Sequence, residues 1–500
     1  MRFVKARALL AESEAAGITL KVTDGELRYA TRDAILSSEL KSRLQLLKAD
    51  LIAELSRPRF PIAHRPADGV QLPNYTLGWW SELCINQLLA NMTHVVWRLR
   101  GDRCASRFQT ALETAAARHD LLTAKFILGD GALQLRFGNR SAVVAAPLEE
   151  HQDPVRSIEH VVWAPFEPGQ VFRPFLLQIS PTEIICGFVL HHFVIDFQGC
   201  RILARELYDE MYGITGAVSR TGDPPLQYSD YIHGLADWLA GAPVRYRLDY
   251  WREQMSGAPP VCLPDAVEAG AVSTGPLKTV NFRILPTLRA RLLESAKSCE
   301  STLALLLLAA KFVALSRCLR QNDLVVTTLV SGRDDIALLK LVGNTTDCVP
   351  IRLCVRSEVS FATLLEELHA CYVLACRYRV QWGVILETLK AAGASTIAPT
   401  FNFISIAGFE SARIGPTPAS NLSLEPLSLE IPQEIGSAAW HASHQMNLFD
   451  NGQYIECHVK YMSLKHPRGT IQTFAECFTT CLEQIARAPR SLIGRLATPP

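Results

Sequence analysis

Paired cysteines are missing from this sequence. Its 14 cysteines stand singly, with no CxxC pair and no zinc-type spacing. So many unpatterned thiols in a large chain argue for a reducing cytosol and against a zinc module. An excess of either charge is missing too. Fifty basic residues face 49 acidic ones, a formal net charge of +1. That balance gives no general attraction for nucleic acid or an anionic membrane, so charge-based recognition has to be local. Long apolar runs are absent as well. The longest, Leu303 to Ala310, stops at Lys311, far short of the ~20 residues a membrane helix needs. The opening MRFVKARALLAESEAAG carries charges too often for a signal peptide, and no short-period repeat is visible. A cytoplasmic protein without a membrane or nucleic-acid partner is the expectation.

What is present is 500 residues, 48% hydrophobic and 20% charged, enough for two or three domains. The first 57 read as a separate unit. An amphipathic helix on Phe3, Leu9, Leu10 and Ala16 ends at Gly17. Two alternating runs, Ile18–Val22 and Glu26–Tyr29, flank Asp24-Gly25, a hairpin signal. Ser37 or Ser38 caps a helix whose apolar face is Leu40, Leu44, Leu47, Leu51 and Leu55. Residues 58–72 are a proline-punctuated linker. The remainder alternates helices and strands and reads as α/β, divided at 73–245 and 246–500. Glycine and proline from Gly257 to Pro276 suggest a crossover between the two parts.

The chemistry concentrates in His191-His192-Phe193-Val194-Ile195-Asp196. The run EIICGFVL (183–190) is a strand buried on both faces and delivers these histidines to a sheet end. A neutral imidazole there can accept a proton from an attacking amine or hydroxyl near neutral pH. Asp196 can fix the loop by pairing with an arginine, and Arg333 is the candidate. A histidine at a strand end is most often structural, so the motif alone decides little. Metal binding is disfavoured: neighbouring residues on a strand point to opposite faces, and no third ligand is evident.

Context decides. HHxxxD here resembles the HHxxxDG motif of the condensation domains of nonribosomal peptide synthetases. Leu99-Arg100-Gly101-Asp102 and Arg118-His119-Asp120-Leu121-Leu122 to Phe126 resemble the stretch ending in RHExLRTxF. Pro165-Phe166-Glu167 and Phe172-Arg173-Pro174-Phe175 resemble the approach to the HH strand. Tyr228-Ser229-Asp230-Tyr231 resembles YxDY, and Tyr250-Trp251 with Gly257-Ala258-Pro259 the region that follows. Ser331-Gly332-Arg333, then Val342-Gly343 to Val349-Pro350-Ile351-Arg352, resemble the GR segment and IGxFVNTxPLR. The likeness runs over roughly residues 72–490. Thr123 and Ala124 depart from the early motif, the opening motif is barely recognisable in Tyr75–Trp80, and a late one is degenerate around Gln381-Trp382.

The resemblance implies an α/β (α+β two-layer) fold of two chloramphenicol-acetyltransferase-like lobes in a V, with a tunnel between them. It implies a monomer and attack on a phosphopantetheine thioester without an acyl-enzyme, the phosphopantetheine belonging to a partner carrier protein and no cofactor to this chain. His192 becomes the expected catalytic residue, as base or as the group that positions the nucleophile. His191 and Asp196 become architectural members of the motif, with Asp196 paired to Arg333. Phe197 replaces the motif glycine, and Asp347 stands where the family usually has Asn; both mark the tunnel and oxyanion vicinity.

Residues 1–57 resemble the β-hairpin (TubC-like) docking domains, which receive an acidic C-terminal short linear motif of an upstream acyl or peptidyl carrier protein by strand addition. Lys21, Arg28 and Arg32 are the candidate charge complement. No adenylation motif, GGxS carrier serine or GxSxG elbow is found. A free-standing enzyme that releases a chain onto an amine or hydroxyl, on a small molecule or an aminoacyl carrier, is the expectation. The alternatives are an acyl-coenzyme A acyltransferase, a silent recruiting domain, and an epimerising relative.

Overall fold

The computed structural model describes residues 2–16, 18–23, 26–31, 37–57, 70–71, 92–129, 132–137, 144–147, 153–167, 169–214, 225–241, 243–264, 273–393, 398–406, 421–427, 429, 437–440 and 444–496. Gly17, Asp24-Gly25, Arg32, Tyr75–Trp80 and most of the expected linker lie outside them.

The N-terminal unit follows its hydrophobic pattern. Helix α1 (Arg2–Ala15) precedes strands β1 (Ile18–Thr23) and β2 (Glu26–Thr31), which pair antiparallel. The Leu-rich helix is two helices, α2 (Ser38–Leu46) and α3 (Lys48–Leu55). The break falls at Leu47, whose ψ of 14° leaves the helical range. Ser37 caps α2 by accepting from Leu40 N. Leu9, Ile18, Leu20, Leu40, Leu44 and Leu51 form a small core. Helix α3 is also bolted to the rest of the chain. Arg377 pairs with buried Asp50, Trp238 Nε1 donates to Ser56 O at 2.7 Å, and Arg247 Nη2 donates to Ala53 O at 3.1 Å.

The first lobe contains β3 (Val70–Gln71), β4 (Met92–Arg100), α4 (Cys104–Arg118), β5 (Ala124–Gly129), β6 (Ala132–Phe137), β7 (Ala146–Pro147), α5 (Pro154–Trp163), β8 (Phe172–Ser180), β9 (Glu183–His191), α6 (Phe197–Met211) and α7 (Tyr228–Leu239). Strands β3, β6 and β5 make a small sheet. In the main sheet β9 lies between β4 and β8. Helices α4 and α6 cover one face and α5 the other. This is why β9 is apolar without alternation, as its sequence suggests.

The second lobe contains α8 (Pro243–Met255), β10 (Ser273–Ile284), α9 (Pro286–Ser298), α10 (Leu303–Leu319), β11 (Asp323–Val330), β12 (Asp347–Cys354), α11 (Phe361–Arg377), α12 (Trp382–Ala391), β13 (Thr400–Ser405), β14 (Ser423–Pro426), β15 (Ser437–Trp440), β16 (His444–Asp450), β17 (Ile455–Met462) and α13 (Arg468–Arg487). Its seven-stranded sheet has the order β12-β11-β13-β16-β17-β10-β15. Helices α10 and α13 pack on one face through Leu306, Phe312, Phe474 and Phe478. The run Leu303–Ala310 is the core of α10, and no single helix among the described residues is long and apolar enough to cross a membrane.

Three features refine the sequence reading. Helix α8 straddles position 245/246, yet its Val244, Trp251 and Met255 all enter the second core. Residues 273–276, read as part of a crossover, are the start of β10 and pair with β15. Strand β14 leaves the second lobe altogether. It pairs with β4 at the edge of the first-lobe sheet, and Leu422, Leu424, Leu338 and Leu341 join the first-lobe core.

Candidate functional site

Strand β9 carries His191 into the interior, where it is fully buried. Phe126, Phe166 and Phe193 surround its ring, with centroids 5.1, 5.6 and 4.7 Å away. Its Nδ1 accepts from Phe193 N at 3.2 Å. Burial pushes its pKa down to about 3, and the neighbouring His192 adds to that. His191 is therefore a neutral ring that shapes the turn.

His192 leaves the strand and is exposed. Its Nδ1 lies 2.9 Å from the carbonyl oxygen of Ile195. A carbonyl can only accept, so Nδ1 carries the proton and donates it. In the neutral ring Nε2 is then the basic atom. Three residues of chain fix the tautomer.

Asp196 caps α6, with Oδ1 accepting from Gly199 N at 2.6 Å. The same oxygen accepts from Arg333 Nη2 at 2.8 Å, and Oδ2 accepts from Thr345 N and Thr345 Oγ1 at 2.9 and 3.0 Å. Both side chains of this pair are enclosed, 2% and 3% exposed. Arg333 also donates to the carbonyls of Leu338, Leu341 and Gly343. The ion pair thus ties the first-lobe turn to the loop between β11 and β12. Close approach is required here. A Cβ on Gly199 would lie 2.6 Å from Gly343 O, and one on Gly343 would strike the Tyr228 ring at 2.3 Å.

Asn344 was not legible as a site residue. Its Nδ2 donates to the backbone oxygens of both His192 and Phe193, each at 3.1 Å. The second lobe therefore holds the His192 backbone directly. The early motifs also find their purpose. Asp120 accepts from Tyr228 N and Ser229 N at 3.2 Å each, and His119 Nε2 meets Glu206 at 2.7 Å. RHD and YSDY are two halves of one bracket under the turn.

Phe197 is the first residue of α6, half-buried beside its cap. Asp347 opens β12, and its Oδ1 accepts from Cys348 N at 2.8 Å and Trp382 N at 2.9 Å. Its contacts therefore run toward α12 and not to the His192 turn. Oδ2 is enclosed without a hydrogen bond, and burial pushes the carboxyl up to about 6, against the pull of Arg379. In the N-terminal unit Lys21 and Arg28 are exposed and stand directly opposite each other across the hairpin. Among the described residues no group of three or more His, Cys, Asp or Glu side chains is placed to hold a metal ion.

Comparison with known proteins agrees with this arrangement. A stretch of the linear gramicidin synthase of Brevibacillus parabrevis is 22% identical over 473 residues, 91% of this chain and 9% of that one. The chain spans about a tenth or less of the length of the curated relatives it matches. Among solved structures, the condensation domain described for chain release from the enacyloxin polyketide synthase superposes with a TM-score of 0.68 at 21% identity, covering 100% of this chain and 99% of that one. The X-domain solved in complex with OxyB from teicoplanin biosynthesis superposes at 0.67, also 21% identical, over 88% of this chain and 98% of that one. The family model for the condensation domain matches residues 83–500, and with the His192 turn clasped between two lobes the chain belongs to the condensation domain family.

Proposed function

We propose that this chain transfers an acyl group from the phosphopantetheine thioester of a carrier protein to an amine or hydroxyl acceptor. The observation that carries this reading is the His192 ring, with Nδ1–H committed to Ile195 O and Nε2 left basic on an exposed turn. The acceptor N–H or O–H donates to Nε2 as its heavy atom adds to the thioester carbonyl. A C–N or C–O bond forms, the C–S bond breaks, and the proton passes to the departing thiolate. His192 acts as base or as the anchor of the nucleophile; either role uses the same atom. Holding both substrates in line supplies much of the acceleration. The fold likeness to the enacyloxin domain favours chain release onto a free acceptor.

The N-terminal unit is the recruiting device in this reading. A two-stranded hairpin with Lys21 and Arg28 adjacent offers an acidic carrier tail both a strand edge and opposite charge. A second reading, recruitment without chemistry, is favoured by the OxyB complex of the similarly folded X-domain.

The experiment uses an acyl-loaded carrier protein with an acidic tail, the full chain, and a panel of free amines, free alcohols and aminoacyl carriers, read by mass spectrometry. Transfer that falls at least ~100-fold in His192→Ala supports catalysis. Carrier binding without transfer to any acceptor supports recruitment instead.

A further inference from the structure

Strand β17 alternates strictly. Cys457, Val459 and Tyr461 enter the second-lobe core, and Glu456, His458 and Lys460 point to the opposite face. Register carries that face across the sheet. Lys460 stands beside Gln445 of β16 and Thr279 of β10, and His458 beside Asn447 and Asn281. Asn447 stands beside Asn402 of β13. The helices lie against the other face, so this one is a polar surface turned away from them. It is ordered by its own bonds: Asn402 Nδ2 and Gln445 Nε2 both donate to Asn447 Oδ1, at 3.2 and 2.9 Å. Asn447 is only 4% exposed.

The same sheet reaches the His192 turn. Strand β11 runs out at Val330 into the loop bearing Arg333, and β12 starts three residues after Asn344. Strand β17 lies three strands from β11, roughly 14 Å at the usual strand spacing.

Charges on this face do not balance. Glu456 is taken by Arg283 at 2.7 Å. Half-buried Lys460 meets no carboxylate among the described residues, and burial lowers its pKa. An ammonium held this way lacks its counter-charge, and the amides of Gln445 and Asn447 lie beside it.

We infer that Lys460, with Gln445 and Asn447, forms a subsite for a carboxylate on the acceptor, so that the acceptor is a hydroxy or amino acid. The inference rests on the transfer reading above and names its substrate class.

The test uses the full chain and acceptor pairs that differ only in the carboxylate: β-alanine with β-alaninamide, and 3-hydroxypropanoate with 3-hydroxypropanamide. Aspartyl- and asparaginyl-loaded carriers separate a side-chain carboxylate from that of a free acceptor. The expected preference for the carboxylate in kcat/KM is about tenfold to a hundredfold. Lys460→Gln brings the ratio close to one, and Lys460→Arg retains most of it. Binding of 3-hydroxypropanoate without donor, measured by calorimetry, disappears in Lys460→Gln. A wild-type ratio near one, or a ratio unchanged in Lys460→Gln, overturns the subsite and leaves the transfer reading standing. No transfer to any acceptor, with 3-hydroxypropanoate still bound through Lys460, overturns the transfer reading and leaves the subsite standing. If Lys460→Gln does not fold, the wild-type ratio and competition between the paired probes decide.

Discussion

Replacing Arg333 with methionine keeps most of the side-chain volume and deletes one guanidinium that donates to Asp196 and to the carbonyls of Leu338, Leu341 and Gly343. Both members of the ion pair are nearly sealed from water. Stranding a carboxylate in such a place costs about 3–5 kcal/mol. Asp196 keeps Gly199 N and both Thr345 donors, which pulls the expected value to the lower end, about 3 kcal/mol. Asp196→Asn combined with Arg333→Met removes both charges together, so the pair should regain part of that loss, with a coupling of roughly 1–3 kcal/mol. Urea unfolding of the four proteins, followed by tryptophan fluorescence, gives the cycle. Because the pair joins the His192 turn to the second lobe, kcat should also fall in each single variant at temperatures where it remains folded. An Arg333→Met protein within about 1 kcal/mol of wild type, or a double variant whose loss is the sum of the singles, would refute the reasoning.

Asn344→Ala releases the two carbonyls of the His192 turn. Transfer should slow by about ten- to a hundredfold through kcat, with the thermal midpoint within a few degrees of wild type, as steady-state kinetics and scanning fluorimetry will read. Asp347, raised from the ordinary 3.8 to about 6 by burial, binds its proton more tightly in the folded chain. That contribution favours folding at about pH 4 and is lost as pH rises through about 6. Asp347→Asn keeps Oδ1 for Cys348 N and Trp382 N, and should stabilise by about 2–3 kcal/mol at pH 8 and hardly at pH 4; equal gains at both pH values would contradict the burial argument. Lys21→Glu with Arg28→Glu should abolish binding of an acidic carrier tail and leave transfer from an untethered pantetheine thioester intact, measured by calorimetry and turnover.

Local pattern carried much of this structure. A strand apolar at every position announced burial on both faces and placed His191 and His192 at its end, and alternating runs around Asp24-Gly25 announced β1 and β2. Such signals tell which way a side chain faces but not what it meets. The partnership of Asp196 and Arg333, 137 residues apart, came from family likeness and not from periodicity. Asn344 carried no signal, because its role is to reach another lobe's backbone. The polar face around Lys460 is invisible until register sets β13, β16, β17 and β10 side by side. The kink at Leu47 escaped because the leucine spacing continues through it, and β14 because four residues carry too little pattern to reveal which sheet they join.

Strand β14 makes the two lobes a single topological object. Its chain emerges from the second lobe, yet its hydrogen bonds close the outer edge of β4. A chain severed between the lobes would leave β4 with a bare row of N–H and C=O groups, an invitation to pair with other molecules. Neither half is a natural unit for excision or swapping. Recombining such a chain with a relative requires exchanging 423–426 along with the first lobe, even though almost two hundred residues of the second lobe come between them.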